Sequence, residues 1–252
     1  MSYTLVLNSL HVKASLAPVK LMVTASARLQ LQNFVNVSQP GASARQAAQR
    51  HFCDMLGLYG EGHSNTTVAF YAGLANGDLV GCTYGHGTNA SKRFAVLRED
   101  STIQKYQELV VNTATGLKGA VIRTGDDYSA TNRPWYKKGV ALGQVSATES
   151  VGRRDDPTKL YGNVGWSDIY VSTSGHLCIS CVVPFYHPWG ALIGVIAADV
   201  ELKFLSKEVQ WAAKAITHED LSYGPALGVI VERDGLVVAS SVKASSASAP
   251  QP

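Results

Sequence analysis

Apolar residues keep a helical period at the N-terminal end of the chain and a period of two through most of its remaining length. Val12, Leu16, Val19 and Val23 fall on one helical stripe and predict a helix over residues 10–34, with Pro18 kinking or delaying it. A second helix opens at Ser43 as N-cap, buries Ala44, Ala48, Phe52 and Met55, and stops near Gly57. Residues 67–74 and 78–84 then read as strands around Ala75-Asn76-Gly77, because Asn-Gly supplies the positive φ angles of a tight hairpin turn. Residues 94–98 make a third strand. The stretch 139–165 is polar and glycine-rich and reads as an insertion loop. Strands at 166–171, 177–185 and 191–199 follow, the last pair turned by His187-Pro-Trp-Gly190. Leu202, Leu205, Val209 and Ala213 then line one face of another helix. A strand, an Asp234-Gly235 turn and a strand occupy 227–240, and the Ala/Ser/Pro-rich tail is a disordered linker by composition.

Composition narrows the function classes. The 252 residues are 46% apolar, enough for a packed core, and 16% charged with a net charge of +3. Arg153-Arg154 is cancelled by Asp155-Asp156. No basic stripe points to nucleic acid, which is excluded as a partner. Apolar runs fall well below the roughly 18 residues of a membrane-crossing helix and no charged leader opens the chain, so it reads as soluble as it stands. Sequons at Asn36, Asn65 and Asn89 would suit a secreted face. Cys178 and Cys181 form a C-x-x-C inside an alternating strand, where an odd separation sends the thiols to opposite faces; buried filler is the better reading than a metal or redox site. A disulfide between Cys53 and Cys82 is open to the chain but unsupported by its pattern.

Enzyme signatures are lacking. There is no Gly-x-Ser-x-Gly, His-Glu-x-x-His or phosphate loop, and His51, His63, His86, His176, His187 and His218 are scattered through unrelated segments. Asp126-Asp127 sits in a glycine-rich turn and reads as a solvated loop rather than an acid pair. No cofactor or metal is expected.

The candidate chemistry lies in Tyr128-Ser-Ala-Thr-Asn-Arg133-Pro-Trp135-Tyr136, which gathers a cation, two phenols and an indole within nine residues. Trp166-Ser-Asp168-Ile-Tyr170 follows, and then Gly190-Ala-Leu-Ile-Gly194-Val-Ile-Ala-Ala-Asp199-Val-Glu-Leu202. In order and spacing these elements resemble the double-Cache, PAS-like (PDC) sensor family over residues 10–240, most closely from Tyr128 to Leu205. The resemblance implies an α/β (α+β) fold with a long N-terminal helix packed on a central antiparallel sheet. It would divide the chain into an entry helix (1–40), a membrane-distal ligand-binding subdomain (41–222), the start of an incomplete membrane-proximal subdomain (223–241) and a tail (242–252). It also implies an extracellular or periplasmic module of a transmembrane receptor, joined to the membrane by flanking helices outside this sequence, with a homodimer open to it.

The amino-acid-sensing branch of that family has Tyr-x-x-x-x-Arg-x-Trp-Tyr, then a Tyr, then an Asp, and Tyr128, Arg133, Trp135, Tyr136, Tyr170 and Asp199 match it. A free amino acid fits such a set. Its carboxylate suits the guanidinium fork of Arg133 beside the indole of Trp135, and its ammonium suits Asp199 with the tyrosine rings and hydroxyls. The family commonly carries an acidic residue two places after the strand tyrosine, where this chain has Ser172. Plainer readings stand beside these. Pro134 at a first helical position could make Arg133-Pro-Trp-Tyr a structural helix start, and Asp199 could cap the following helix. The Cache module could equally take an amine or an organic acid, or be a structural ectodomain of a channel-associated or adhesion-type protein.

Overall fold

The computed structural model describes residues 17, 19–26, 42–62, 67–84, 93–99, 103–112, 118–147, 163–187, 190–219, 229–231 and 237–241. The three sequons, the polar segment 148–162 and the tail 242–252 lie outside the described residues.

Two compact units divide the described chain at residues 201 and 202. The larger is built on a nine-stranded sheet, of which eight strands run in the order β5-β4-β3-β2-β1-β9-β8-β6 and β7 pairs with β8 beside β6. These are β1 (Thr67–Leu74), β2 (Leu79–Tyr84), β3 (Arg93–Glu99), β4 (Ile103–Val111), β5 (Lys118–Asp127), β6 (Gly165–Trp166), β7 (Tyr170–Val171), β8 (Leu177–Tyr186) and β9 (Leu192–Glu201). Every pairing is antiparallel.

Antiparallel partners share a face, so the register sorts the side chains into two layers. Phe70, Cys82, Ala198 and Cys181 form one row, and Tyr71, Ala197 and Val182 the row beside it on the other face. Helices cover the first face. In α1 (residues 19–26), Val19, Met22, Val23 and Ser26 are buried at helical spacing. In α2 (Ala42–Gly62), Ala48, Phe52, Cys53 and Leu56 turn inward, with Phe52 edge-on to Phe70 at 5.0 Å. A Cys53–Cys82 disulfide fastens α2 to β2, and Ser26 Oγ lies 3.1 Å from His51 Nε2 between α1 and α2. Neither Cys178 nor Cys181 forms a disulfide; both are buried, on opposite faces as their spacing requires.

The second face carries α3 (Pro134–Ala147), preceded by a short 3-10 helix (Ala130–Asn132). Here the chain departs from the sequence expectation of a loop beginning at 139. Gly139 and Gly143 stay helical because the backbone passes too close to the sheet for a side chain: a Cβ on Gly139 would strike Val195, and one on Gly143 would strike Tyr186. Sequence patterning also missed β4 and β5 and ended α2 too early, and the single strand expected at 166–171 is two short strands in the structure.

The smaller unit contains α4 (Leu202–Glu219) and a two-stranded hairpin, β10 (Val229–Val231) and β11 (Val237–Ser240). Leu205, Val209 and Ala213 form the buried stripe of α4, which lies against β11. Among the described residues no helix is long and apolar enough to cross a membrane.

Candidate ligand-binding site

The site grows from the hairpin between β1 and β2. Asn76 Oδ1 accepts from Asp78 N at 3.0 Å and Gly77 takes φ 91°, so the turn closes tightly. Gly77 O then accepts from Ala130 N at 3.1 Å and anchors the 3-10 helix to the sheet. Arg133 follows in extended conformation, as a residue before proline should, and its carbonyl accepts the first α3 bond from Lys137 N. Pro134 occupies the first helical position, where its missing N–H costs nothing. Gly73 makes room for the indole that comes after it: a Cβ there would lie 2.5 Å from Trp135 Cη2 and 2.7 Å from Ala130 Cβ. Trp135 therefore lies close against β1, buried and edge-on to Tyr71 at 5.0 Å.

Between α3, the sheet and the β7–β8 turn lies a cleft open to solvent, about 520 Å³ of empty space with open solvent included. Tyr128, Arg133, Trp135, Tyr170 and Asp199 all line it. Tyr136 does not line it. Its ring packs beside Trp135 and over the Gly73 position, and burial pushes its phenol up to about 12.

Asp199 sits within β9, two residues before the strand ends, and so does not cap α4. Its Oδ1 accepts from Tyr71 Oη at 2.5 Å, Ser180 Oγ at 2.7 Å and Tyr170 Oη at 2.8 Å. Oδ2 has no partner among the described residues. Burial raises the Asp199 pKa above its ordinary 3.8, opposed by the three hydroxyls and by the Arg133 charge. The same burial, with Asp199 close by, pushes the Tyr71 and Tyr170 phenols well above 10.0 and keeps both protonated as donors.

Arg133 faces the same space with donors to spare. Nη2 donates to Val171 O at 2.7 Å, while Nε is buried with no acceptor. The guanidinium carbon stands 5.7 Å from the Tyr128 ring centre and 5.6 Å from that of Tyr170, a two-ring cation–π seat. Burial raises the Tyr128 phenol well above its ordinary 10.0, opposed by the Arg133 charge. Among the described residues Arg133 and Asp199 make no ion pair with each other.

Residues that sequence patterning did not single out complete the walls, Tyr71, Tyr106, Glu108 and Thr173, and Ser180 stands behind them on Asp199. Tyr71 and Ser180 are cross-strand neighbours of β9, which only the register reveals. Tyr106 and Glu108 lie on β4, where polar residues hid the strand. Ser172 is on the wall as well, with its Oγ engaged in its own turn, 2.8 Å from Ser174 Oγ and accepting from His176 N.

Residues 86–207 match the family described as methyl-accepting chemotaxis protein-like, first PDC sensor domain. No curated protein matches the chain in sequence. Similar solved structures include the ligand-binding domain of the Pseudomonas aeruginosa PAO1 amino acid chemoreceptor PctB with L-Arg, at 16% identity and TM-score 0.47, covering 90% of this chain and 64% of that one. The ligand-binding domain of the Pseudomonas fluorescens chemoreceptor CtaA is similar in its L-serine complex, at 15% identity and TM-score 0.46 over 91% of this chain and 65% of that one. Its L-valine complex gives 15% and 0.43 over 80% and 59%. The chain thus spans less than two thirds of these relatives' length. The Arg-Pro-Trp-Tyr start of α3 and the aspartate of β9, which meet in the cleft, both lie inside the segment 86–207, a little under half of the chain, that matches the PDC sensor-domain family.

Proposed function

We propose that this chain is the extracellular or periplasmic ligand-binding part of a transmembrane receptor, and that its cleft takes an L-amino acid without chemically changing it. One observation carries the reading: a guanidinium and a carboxylate line one cleft without pairing, and each has an atom still lacking a partner, Nε of Arg133 and Oδ2 of Asp199. Buried charges are costly when unpaired, and a zwitterion compensates both at once. Its carboxylate would meet Arg133, and its ammonium would meet Asp199 Oδ2 within the ring faces of Tyr128 and Tyr170. Tyr71 and Ser180 would hold the aspartate in place. Because Ser172 stands where the family commonly has an acid, the ammonium would have a single carboxylate partner.

The test is ligand-induced stabilisation, since a ligand that binds only the folded state adds about 2.7 kcal/mol at a hundredfold excess over Kd. L-amino acids should raise the melting temperature, whereas the matching amines and organic acids, each lacking one charge, should not. Arg133→Ala and Arg133→Lys should both remove the response while leaving the unliganded fold intact, because a point charge cannot present two parallel N–H donors. An unchanged response in both variants would refute the proposal.

A further inference from the structure

We infer that Glu108 selects the far end of the ligand, so that the cleft takes amino acids whose side chain ends in a hydrogen-bond donor, an amide or a cation. This deepens the proposed function and rests on it. Tyr71, Gly81, Val96, Glu108 and Arg123 are successive cross-strand partners from β1 to β5. Three strand spacings separate Tyr71, beside Asp199, from Glu108, about 14 Å of sheet. The wall therefore runs well past the space that a carboxylate and an ammonium would fill.

Arg133 seats on Tyr128, Tyr128 packs against Tyr106 at 5.7 Å, and Tyr106 Oη donates to Glu108 Oε1 at 3.1 Å. The same Oε1 accepts from Arg123 Nη1 at 3.0 Å. Glu108 Oε2 has no partner among the described residues, although the side chain is buried and lines the cleft. A carboxylate can accept roughly four hydrogen bonds, so half of this one remains unused. Arg123 does not compete for the space: its Nη2 is turned to Thr173 O at 2.7 Å, and it is not part of the cleft wall. The far end therefore presents a carboxylate acceptor beside the Tyr106 hydroxyl, with Ser172 and Thr173 on the same cleft wall. An aliphatic side chain would leave that acceptor buried and unmet, and an acidic one would face a like charge.

Titration calorimetry with L-glutamine, L-glutamate, L-lysine and L-norleucine tests this, because glutamine and glutamate differ chiefly in one donor. In the parent protein, glutamine and lysine should each bind at least tenfold tighter than glutamate and norleucine. Glu108→Gln keeps an oxygen for Tyr106 and Arg123 and turns an N–H₂ into the cleft, so the glutamine-over-glutamate preference should invert. Binding of all four ligands with equal affinity, or a preference unchanged in Glu108→Gln, would overturn the inference and leave the amino-acid reading intact. If none of the four binds, both fall. Should Glu108→Gln not fold, Arg123→Gln decides: with its partner cation gone, Glu108 should bind lysine several-fold tighter, and no gain would overturn the inference.

Discussion

Among single residues, Asp199 has the sharpest consequence. Its raised pKa means that the folded, empty site holds a proton more tightly than the unfolded chain does. Its contribution to stability is therefore full below the ordinary 3.8 and is lost as pH rises from there through the raised value. An ammonium needs the ionised form, so amino-acid affinity should rise with pH through the same window. Asp199→Asn retains an oxygen for Tyr71, Tyr170 and Ser180. Scanning calorimetry should find unliganded stability within about 1 kcal/mol of the parent, the acid-side dependence flattened and the amino-acid response lost. A large loss of unliganded stability with the response preserved would make the residue structural. How far such residues can be read from sequence depends on where their partners lie. Arg133 and Trp135 announce themselves through near neighbours, and Asp199 through its place after a glycine-rich hairpin. Tyr71, Ser180 and Glu108 are ordinary strand residues until the register sets them beside a charge.

At the scale of elements, the strands with strict alternation or a clear turn were legible, and those with mixed polarity were not. β4 places Gln104, Lys105, Gln107 and Glu108 among its apolar residues and meets β5 with several register shifts, so no period of two survives along it. α3 reads as a loop in its second half because of glycines whose purpose is contact. Ala is usually the better helix former by about 1 kcal/mol, yet Gly139→Ala should destabilise the protein by about 1–3 kcal/mol, because its Cβ has no room against Val195. Urea denaturation measures this directly, and a stabilised variant would mean that α3 is not seated on β9.

For the molecule as a whole, the sheet separates two tasks. α1, α2 and the disulfide occupy one face and α3 with the cleft the other, so the cross-link and the ligand should act independently. The Cys53–Cys82 bridge spans 29 residues, a loop whose closure restricts the unfolded chain by about 3–4 kcal/mol. Paired Cys53→Ser and Cys82→Ser should lower the unfolding free energy by up to that amount while leaving the Kd for an amino acid unchanged, measured by denaturation and calorimetry on the same sample. The β7–β8 turn has a different bearing. Ser172 N pairs with His176 O inside the turn, while the carbonyl of Val171 accepts from Arg133 and that of Thr173 from Arg123. A bare strand margin recruits other chains through such acceptors. Arg133, which lines the cleft, and Arg123, which does not, occupy these two acceptors, so neither is open to pairing with another chain.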